Sequence, residues 1–528
     1  MKITSYKSTL IKPEIPTPPE ILSCAACDNF VRPIHVRTVY FFAEQSPGAN
    51  KDAIKVLKNA LSKLLVTFYP NAGRVRSIGD GTPHLEIDCN DAGVVFIEAS
   101  VDITIDDLGG FQPNPLFDKL SPSADYSMPI EEQPVQFLQA TKFACGGFSL
   151  GMALQHVVAD GISAHNFIVS WTEVVLGKPI SVKPVFDHTL LNAAGAPVPA
   201  SPPSEMKIRP KGVPPVKAAT RPVKERVFTF TPDQLKKIKE DANSLAPEGN
   251  ERPFSTFEAL SAHTWKGIIR AKALDANEEV KFFTTLDARK RLTPNLPDGY
   301  YGNAIIFTSN CTTAGEILSK PVSFSANLVR AAVARMTDEN MRSMIAWADA
   351  QSESIQVAID TAANDVSSAG WFRMPFYETD FGYGKALFAG PADNPFNGCV
   401  LMLPGHIGPG SINIFINLYT EHMEKLETDA EFLTHKSLEQ VTDWRKALRE
   451  IQFSVGICGA VDSIPGRHFL EQEYSFNVET KFYLVVRRNP CSRDETAAAV
   501  GMRQLHAGDC VLKSPILMKL RELGIRIL

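Results

Sequence analysis

A proline-rich segment divides this chain of 528 residues into two mixed halves. Residues 196–222 contain eight prolines and show little periodicity. Proline has a fixed φ and lacks a backbone N–H, so such a run favours an extended connection. Because hydrophobic cores stop growing beyond about 250–300 residues, we expect more than one domain. We predict an N-terminal domain over 1–195, a crossover over 196–225, a second domain over 226–427 and an extension of unknown role over 428–528.

Short β-rich runs alternate with helical periodicity on both sides of this segment, which predicts an α/β fold. A Cys-Gly-Gly turn separates two of the runs and favours a hairpin that leads into an amphipathic helix. The predicted strands are 36–42, 84–88, 93–98, 135–143, 147–155, 281–286, 399–403 and 412–419, and the predicted helices are 52–65, 161–176 and 256–271.

Composition and charge argue against several functional classes. The net charge is only −5, and no basic stripe interleaved with aromatic residues suggests nucleic-acid binding. No run approaches the roughly 18 apolar residues that span a bilayer, and the N-terminus lacks the apolar run of a signal peptide. Nine scattered cysteines favour free thiols, and the lone pair Cys24 and Cys27 lacks the second pair that a zinc site needs. We therefore expect a cytoplasmic protein without a metal, a nucleic-acid partner or a membrane partner.

Two short motifs indicate chemistry. A β-run ends at His156, and a helix begins just after Asp160 and Gly161. Histidine is the side chain best suited to take a proton near pH 7, a carboxylate stabilises a helix N-terminus, and glycine permits close approach. The second motif runs from Asp380 to Gly384 and reads DFGYG. Each motif alone is common, since most lone histidines are structural and most glycine-rich segments are turns.

Together the motifs resemble those of the BAHD family of plant acyl-CoA-dependent acyltransferases, which pairs HxxxDG with a downstream DFGWG. The resemblance covers residues 1–427 and implies two similar chloramphenicol-acetyltransferase-like domains with a channel at their interface. It also implies a monomer that uses acyl-CoA as a co-substrate and needs no cofactor. Further blocks that resemble the family, in the family's order, lie at 61–74, 255–260, 287–289 and 300–303.

The resemblance assigns a role to each motif residue. His156 is the general base that takes a proton from the acceptor, whose oxygen then attacks the thioester in a ternary complex. Residues with a structural role at the site are Asp160, Gly161, Arg289, Asp380 and Gly384, with Arg289 pairing with Asp160. The residues implied for CoA binding are Ser255 and Thr256.

Within the family, the chain most resembles the branch that uses hydroxycinnamoyl-CoA with shikimate or quinate. Arg373 occupies the place where that branch binds the acceptor's carboxylate, a task that suits the planar guanidinium fork. His35, Thr38 and Tyr40 match the acceptor-pocket strand, and Tyr383 replaces the family's tryptophan as an aromatic wall. This implies transfer of a p-coumaroyl or caffeoyl group to a hydroxyl of shikimate or quinate.

Three alternatives stay open at this point. The same chemistry could serve an amine such as spermidine, another hydroxy acid or an alcohol. The chain could also be a catalytically silent relative that binds CoA esters. A peptide-synthetase condensation domain shares HxxxDG, but its first position is typically a second histidine, which is Gln155 here, and no carrier domain flanks the chain. Residues 428–528 depart from the family, which usually ends near 423.

Overall fold

The computed structural model describes residues 3–43, 53–79, 84–193, 195–209, 221–244, 252–360, 364–372, 374–394, 396–433, 470–475, 481–488 and 498–504. The helices are α1 (Ala26–Phe30), α2 (Ala53–Thr67), α3 (Pro115–Leu120), α4 (Gly161–Val175), α5 (Pro232–Ser244), α6 (Thr256–Lys272), α7 (Ala314–Ser319), α8 (Val322–Arg335), α9 (Asp338–Asp349), α10 (Thr420–Thr428) and α11 (Ala430–Leu433). The strands are β1 (Ile3–Ile11), β2 (Glu20–Ser23), β3 (His35–Phe42), β4 (Arg74–Ser77), β5 (Leu85–Cys89), β6 (Val94–Val101), β7 (Gln136–Lys142), β8 (Phe148–Gln155), β9 (Met206–Ile208), β10 (Val223–Phe230), β11 (Glu279–Asp287), β12 (Ile305–Thr313), β13 (Ile355–Val357), β14 (Val366–Gly370), β15 (Phe388–Pro391), β16 (Cys399–Pro404), β17 (Ile412–Tyr419), β18 (Leu470–Ser475), β19 (Lys481–Arg488) and β20 (Ala498–Gln504).

The first sheet has the strand order β1-β6-β7-β8-β3-β15. The predicted hairpin is present, since β7 and β8 pair antiparallel. Strand β8 is buried along its whole length, which explains its continuous apolar character. The edge strand of this sheet, β15, comes from residues 388–391 and pairs with β3. The predicted second domain, 226–427, therefore contributes a strand to the first sheet, a long-range pairing that the proline-rich boundary does not reveal.

Helix α4 follows β8 and packs its apolar side on the first core. Phe167, Ile168 and Trp171 are completely buried at positions spaced for one helix face. The Trp171 indole N–H also donates to the Leu57 carbonyl oxygen of α2, at 3.2 Å. Helix α4 is thereby fixed against α2.

The second sheet has the order β10-β17-β16-β14-β11-β12 and mixes parallel with antiparallel pairs. Helix α6 lies in its core, with Trp265, Ile268 and Ile269 fully buried. Phe432 of α11 is 1% exposed in the same core. The second half thus extends to residue 433, beyond the predicted end at 427. Both halves are mixed α/β, as the sequence predicts.

The described part of the proline-rich crossover includes a short strand. Its residues 206–208 form β9, which pairs antiparallel with β13. Just before this strand, the buried Glu205 carboxylate accepts from the Ser309 amide at 3.1 Å and binds Arg335. Strand β10 begins at Val223, three residues before the predicted domain start at 226.

The runs predicted as strands on either side of an Asn-Asp turn form β5 and β6. They enter different sheets, since β5 pairs with β2 and β4 while β6 pairs with β1 and β7.

Residues 444–528 form a separate unit, in which the described segments β18, β19 and β20 pair as a three-stranded antiparallel sheet.

Candidate active site

A tight turn between β8 and α4 carries His156. The His156 amide donates to the Ile34 carbonyl oxygen at 2.8 Å, just before β3. The side-chain amide of Asn303 donates to the carbonyl oxygens of His156, at 2.7 Å, and Val157, at 3.2 Å. His156 remains partly exposed, whereas Val157 is buried. The backbone that carries the imidazole is therefore held from both halves of the molecule.

The surroundings of His156 suit a proton acceptor. Burial lowers the pKa of the His156 imidazole, and the charges of Asp160 and Asp28 only partly offset this effect. Because an unperturbed histidine has a pKa of about 6.5, the ring is neutral at pH 7 and keeps a lone pair available. A neutral imidazole at a cavity wall can take a proton from a substrate.

Asp160 is buried and fully engaged in holding the site together. Its carboxylate caps α4 by accepting from the Ser163 amide at 2.9 Å, and it also accepts from the Ala304 amide at 3.0 Å. The Arg289 guanidinium donates to both carboxylate oxygens, at 2.8 and 3.0 Å. Burial alone would raise the pKa of Asp160, but the Arg289 charge and these hydrogen bonds hold it below its usual range.

Arg289 joins the two halves of the molecule around this carboxylate. It donates to Ser163 Oγ at 2.9 Å and to Asp287 Oδ1 at 3.1 Å. The pairing of Arg289 with Asp160 that the family resemblance implies is present, and both side chains are nearly inaccessible to solvent. A buried, bidentate ion pair with further hydrogen bonds is a rigid element, so the structure gives Asp160 a positioning geometry.

A second buried carboxylate lies behind the turn and has no counterpart in the sequence analysis. Asp28 accepts from the Asn303 backbone amide at 2.8 Å and from its side-chain amide at 2.9 Å. His188 Nδ1 lies 3.3 Å from the same carboxylate, and His188 Nε2 lies 2.9 Å from the Tyr301 carbonyl oxygen. Burial would lower the pKa of His188, but the Asp28 charge raises it overall. Asn303 lies in a block that resembles the family, whereas no local pattern links Asp28 to His188.

A cavity opens beside His156 and occupies about 490 Å³, counted out to open solvent. Gly161 matters to its shape, because a Cβ there would lie 2.9 Å from Met374 Cε. The described residues that line the cavity are Val36, Thr38, Tyr40, Met152, Leu154, His156, Ala159, Asp160, Gly161, Ala164, His165, Trp371, Met374 and Phe376. The wall is mainly apolar, as is typical of small-molecule sites.

Strand β3 brings two of its three predicted residues to this cavity. Thr38 and Tyr40 line it. His35 does not, because side chains alternate along a strand and an odd position faces the opposite side from 38 and 40. There the His35 ring lies 5.3 Å from the Phe137 ring, and its Nε2 lies 2.8 Å from the Pro134 carbonyl oxygen. His35 therefore lies outside the cavity beside His156, and its part in an acceptor pocket stays a prediction.

The DFGYG motif forms a turn away from the cavity. Asp380 accepts from the amides of Gly382, at 2.8 Å, and Gly384, at 3.1 Å. Both glycines have a φ of +80° or more, which favours residues without a Cβ. The Tyr383 ring packs 4.9 Å from Phe148 at the start of β8, whereas His156 follows the end of that strand. An eight-residue strand is roughly 25 Å long, so the structure does not bring Tyr383 to the substrate pocket.

The remaining predicted residues are also accounted for. Ser255 caps α6, since its hydroxyl accepts from the Glu258 amide at 3.2 Å and the Glu258 carboxylate accepts from the Ser255 amide at 2.7 Å. Thr256 is the first residue of that helix. Neither residue is among those that line the cavity described above. Arg373 lies outside the described residues.

Comparison with known proteins decides the family. The model of the Transferase family matches residues 1–433. The chain belongs to the BAHD acyltransferases. This BAHD chain is 36% identical over 436 residues to shikimate O-hydroxycinnamoyltransferase of Nicotiana tabacum, which covers 81% of the chain and 99% of the relative. It is 35% identical over 446 residues to a hydroxycinnamoyl-CoA:5-hydroxyanthranilate N-hydroxycinnamoyltransferase of Avena sativa, which covers 80% and 98%.

The fold of this BAHD acyltransferase also matches a solved structure. Vinorine synthase superposes with a TM-score of 0.66 at 23% identity, covering 82% of this chain and 98% of that one. The predicted fold class, α/β with two chloramphenicol-acetyltransferase-like domains, is confirmed. In the described part of the chain, no helix is both long enough and apolar enough to cross a bilayer.

Proposed function

We propose that this BAHD acyltransferase transfers a hydroxycinnamoyl group, p-coumaroyl or caffeoyl, from CoA to a hydroxyl of shikimate or quinate. The observation that carries the proposal is the place of His156, on a turn held by Asn303, at the wall of a mainly apolar cavity. The tobacco relative, which the chain matches over most of its length, supports the choice of donor and acceptor. Part of the same proposal is a monomeric cytoplasmic enzyme that needs no cofactor.

The reaction proceeds in a ternary complex without an acyl-enzyme. His156 takes the proton of the acceptor hydroxyl as the oxygen attacks the thioester carbonyl carbon. The tetrahedral intermediate collapses and the carbon–sulfur bond breaks. The leaving CoA thiolate then takes a proton from the His156 imidazolium. The imidazole is then neutral again for the next turnover. General-base catalysis of this kind contributes about 10²–10⁴-fold to the rate.

Binding roles complete the proposal. Thr38 and Tyr40 face the acceptor from β3, at the wall that also holds His156. Arg373, by its place in the block that resembles the shikimate and quinate branch, binds the acceptor's carboxylate. Ser255 and Thr256 contact CoA through the N-terminal end of α6, where backbone N–H groups favour anions.

A thiol-release assay with p-coumaroyl-CoA tests this function. Shikimate, quinate, spermidine, 5-hydroxyanthranilate and a simple alcohol are offered in parallel to the full chain. We expect acceptor-dependent release with shikimate or quinate, and an Arg373→Ala variant that raises KM for these carboxylates but not for the neutral alcohol. Release only with spermidine, 5-hydroxyanthranilate or the alcohol would refute the proposed acceptor and keep the reaction class.

A second candidate function is transfer to an amine. It is favoured by the oat relative, whose name specifies an N-hydroxycinnamoyl product, at nearly the same identity as the tobacco relative. Release with 5-hydroxyanthranilate or spermidine and none with shikimate or quinate would establish it. CoA binding by calorimetry without release from any acceptor would instead indicate the silent relative.

A further inference from the structure

A second histidine faces the cavity from α4. His165 lies one helical turn beyond Gly161 and lines the same space as His156. Its side chain is 8% exposed, and neither ring nitrogen has a hydrogen-bond partner among the described residues. Buried polar atoms are nearly always paired, so two unpaired nitrogens on one ring require an explanation.

Among the described residues, the surroundings of His165 offer no polar partner. The ring lies 5.4 Å from the Phe376 ring, and Phe376 stacks on Trp371. Methionine and leucine side chains from β8 complete this part of the wall. Burial lowers the pKa of His165 to about 4, so the ring is neutral at pH 7, with one nitrogen that donates and one that accepts.

Packing alone does not account for a histidine at this position. A leucine or phenylalanine would fill the same space against Phe376 without burying two unpaired nitrogens, which are costly to desolvate. A substrate group that both donates and accepts would recover this cost on binding. A hydroxyl has that property, whereas a carboxylate only accepts and is better served by a cation.

We infer that His165 is a specificity-determining residue that binds a hydroxyl group of a substrate other than the one that reacts. The inference rests on the proposed function, which supplies two sources of such a group. One is the set of remaining ring hydroxyls of shikimate or quinate, and the other is the 4-hydroxyl of the p-coumaroyl group. Both sources present the same chemistry to the ring, so the test has one arm for each.

The donor arm compares p-coumaroyl-CoA with cinnamoyl-CoA, which lacks the 4-hydroxyl, at saturating shikimate. The acceptor arm compares shikimate with 3-hydroxycyclohexane-1-carboxylate, which keeps the carboxylate and one hydroxyl. In His165→Leu we expect kcat/KM for the hydroxylated member of one pair to fall about 10- to 100-fold, mainly through KM. The kcat/KM for the member without the hydroxyl should stay within about threefold of the wild-type value. In His165→Gln the preference for the hydroxylated member should return in part, because glutamine can also donate and accept.

Two controls separate recognition from a structural role. Met152→Leu reshapes the same cavity without altering hydrogen bonding, so it should change both members of each pair by the same factor. The melting temperature of the His165→Leu enzyme without substrate should equal or exceed that of the wild type, because an unpaired buried group is removed.

The outcomes are distinguishable. Collapse of the hydroxyl preference on one arm supports the inference and identifies the source. Unchanged preference on both arms, or equal loss for both members of each pair, would overturn it and leave the proposed function intact. Failure of the wild type to turn over any of these pairs would refute the proposed function and this inference together.

Discussion

Replacing Asp160 by asparagine should destabilise the enzyme as well as slow it. One Asp160 oxygen accepts from the Ser163 amide and from Arg289 Nη2, and the other accepts from Arg289 Nη1 and the Ala304 amide. An asparagine can supply only one of these oxygens. Its NH₂ group would then face two donors, and the Arg289 charge, 4% exposed, would keep only the partly exposed Asp287 carboxylate as a counter-charge.

The magnitude follows from that burial. Removing one partner of a buried ion pair costs about 3–5 kcal/mol, because the other charge stays desolvated. For domains of 150–250 residues, each kcal/mol shifts the melting temperature by about 2–4 °C, so Asp160→Asn should melt roughly 6–20 °C below the wild type. The turn that carries His156 should loosen, and kcat should fall with it.

Calorimetric melting and thiol-release kinetics on the same preparations provide the assay. Lys290→Met is the matched control, because Lys290 is adjacent to Arg289 and forms an ion pair with Asp298 at the surface. The Lys290 side chain is 58% exposed and that of Asp298 is 80% exposed. Exposed pairs contribute about 0–1 kcal/mol, so this control should melt within a few degrees of the wild type. An Asp160→Asn enzyme that is slow but melts at the wild-type temperature would refute the structural role and favour a direct part in proton transfer.

The lowered pKa of Asp160 also determines how its contribution to the stability of the fold changes with pH. The unfolded carboxyl has a pKa of about 3.9, and the folded value lies below it. The stabilisation by Asp160 is therefore present above about pH 3.9 and is lost as pH falls through the folded pKa. The melting difference between wild type and Asp160→Asn should stay constant from pH 5 to pH 8.

Three further predictions concern the surroundings of the base. Because burial lowers the pKa of His156 from its usual value of about 6.5, kcat/KM should rise with pH below that value and approach its plateau by pH 7. A half-maximum above pH 7 in a pH–rate profile would contradict this. Asn303→Leu removes the side-chain amide that donates both hydrogen bonds to the His156 turn, and it should lower kcat about 10- to 100-fold in the thiol-release assay. An unchanged kcat would exclude a positioning role. The pKa of His188 is raised by Asp28, so its stabilisation is complete below about pH 6.5 and lost as pH rises through the folded value. The melting temperature of His188→Gln should lie below that of the wild type at pH 6 and closer to it at pH 9. A difference in melting temperature that grows with pH would contradict a raised pKa of His188.

Local sequence patterns account for much of the site. The hairpin, α4 and the turn from His156 to Gly161 follow from periodicity and turn residues within a short stretch. The orientation of His35 also follows from the sequence, since strict alternation places position 35 opposite Thr38 and Tyr40.

Long-range geometry was beyond local patterns. Asp28 and Asn303 are 275 positions apart, and the sequence around neither residue predicts that they are in contact. The pairing of β15 with β3 joins residues still farther apart, such as Phe388 and Phe41, so the sequence boundary between the halves does not coincide with the boundary between the sheets. The sequence places His165 only within a predicted amphipathic helix, because its significance depends on the absence of partners around it among the described residues.

The central claim is that His156 is the general base of an acyl transfer from CoA. Its most direct test measures kcat by thiol release and CoA binding by calorimetry, with wild type and His156→Ala side by side. We predict that kcat falls by about 10²–10⁴-fold in the variant while the Kd for CoA stays within about threefold. A variant that turns over at the wild-type rate would contradict the claim.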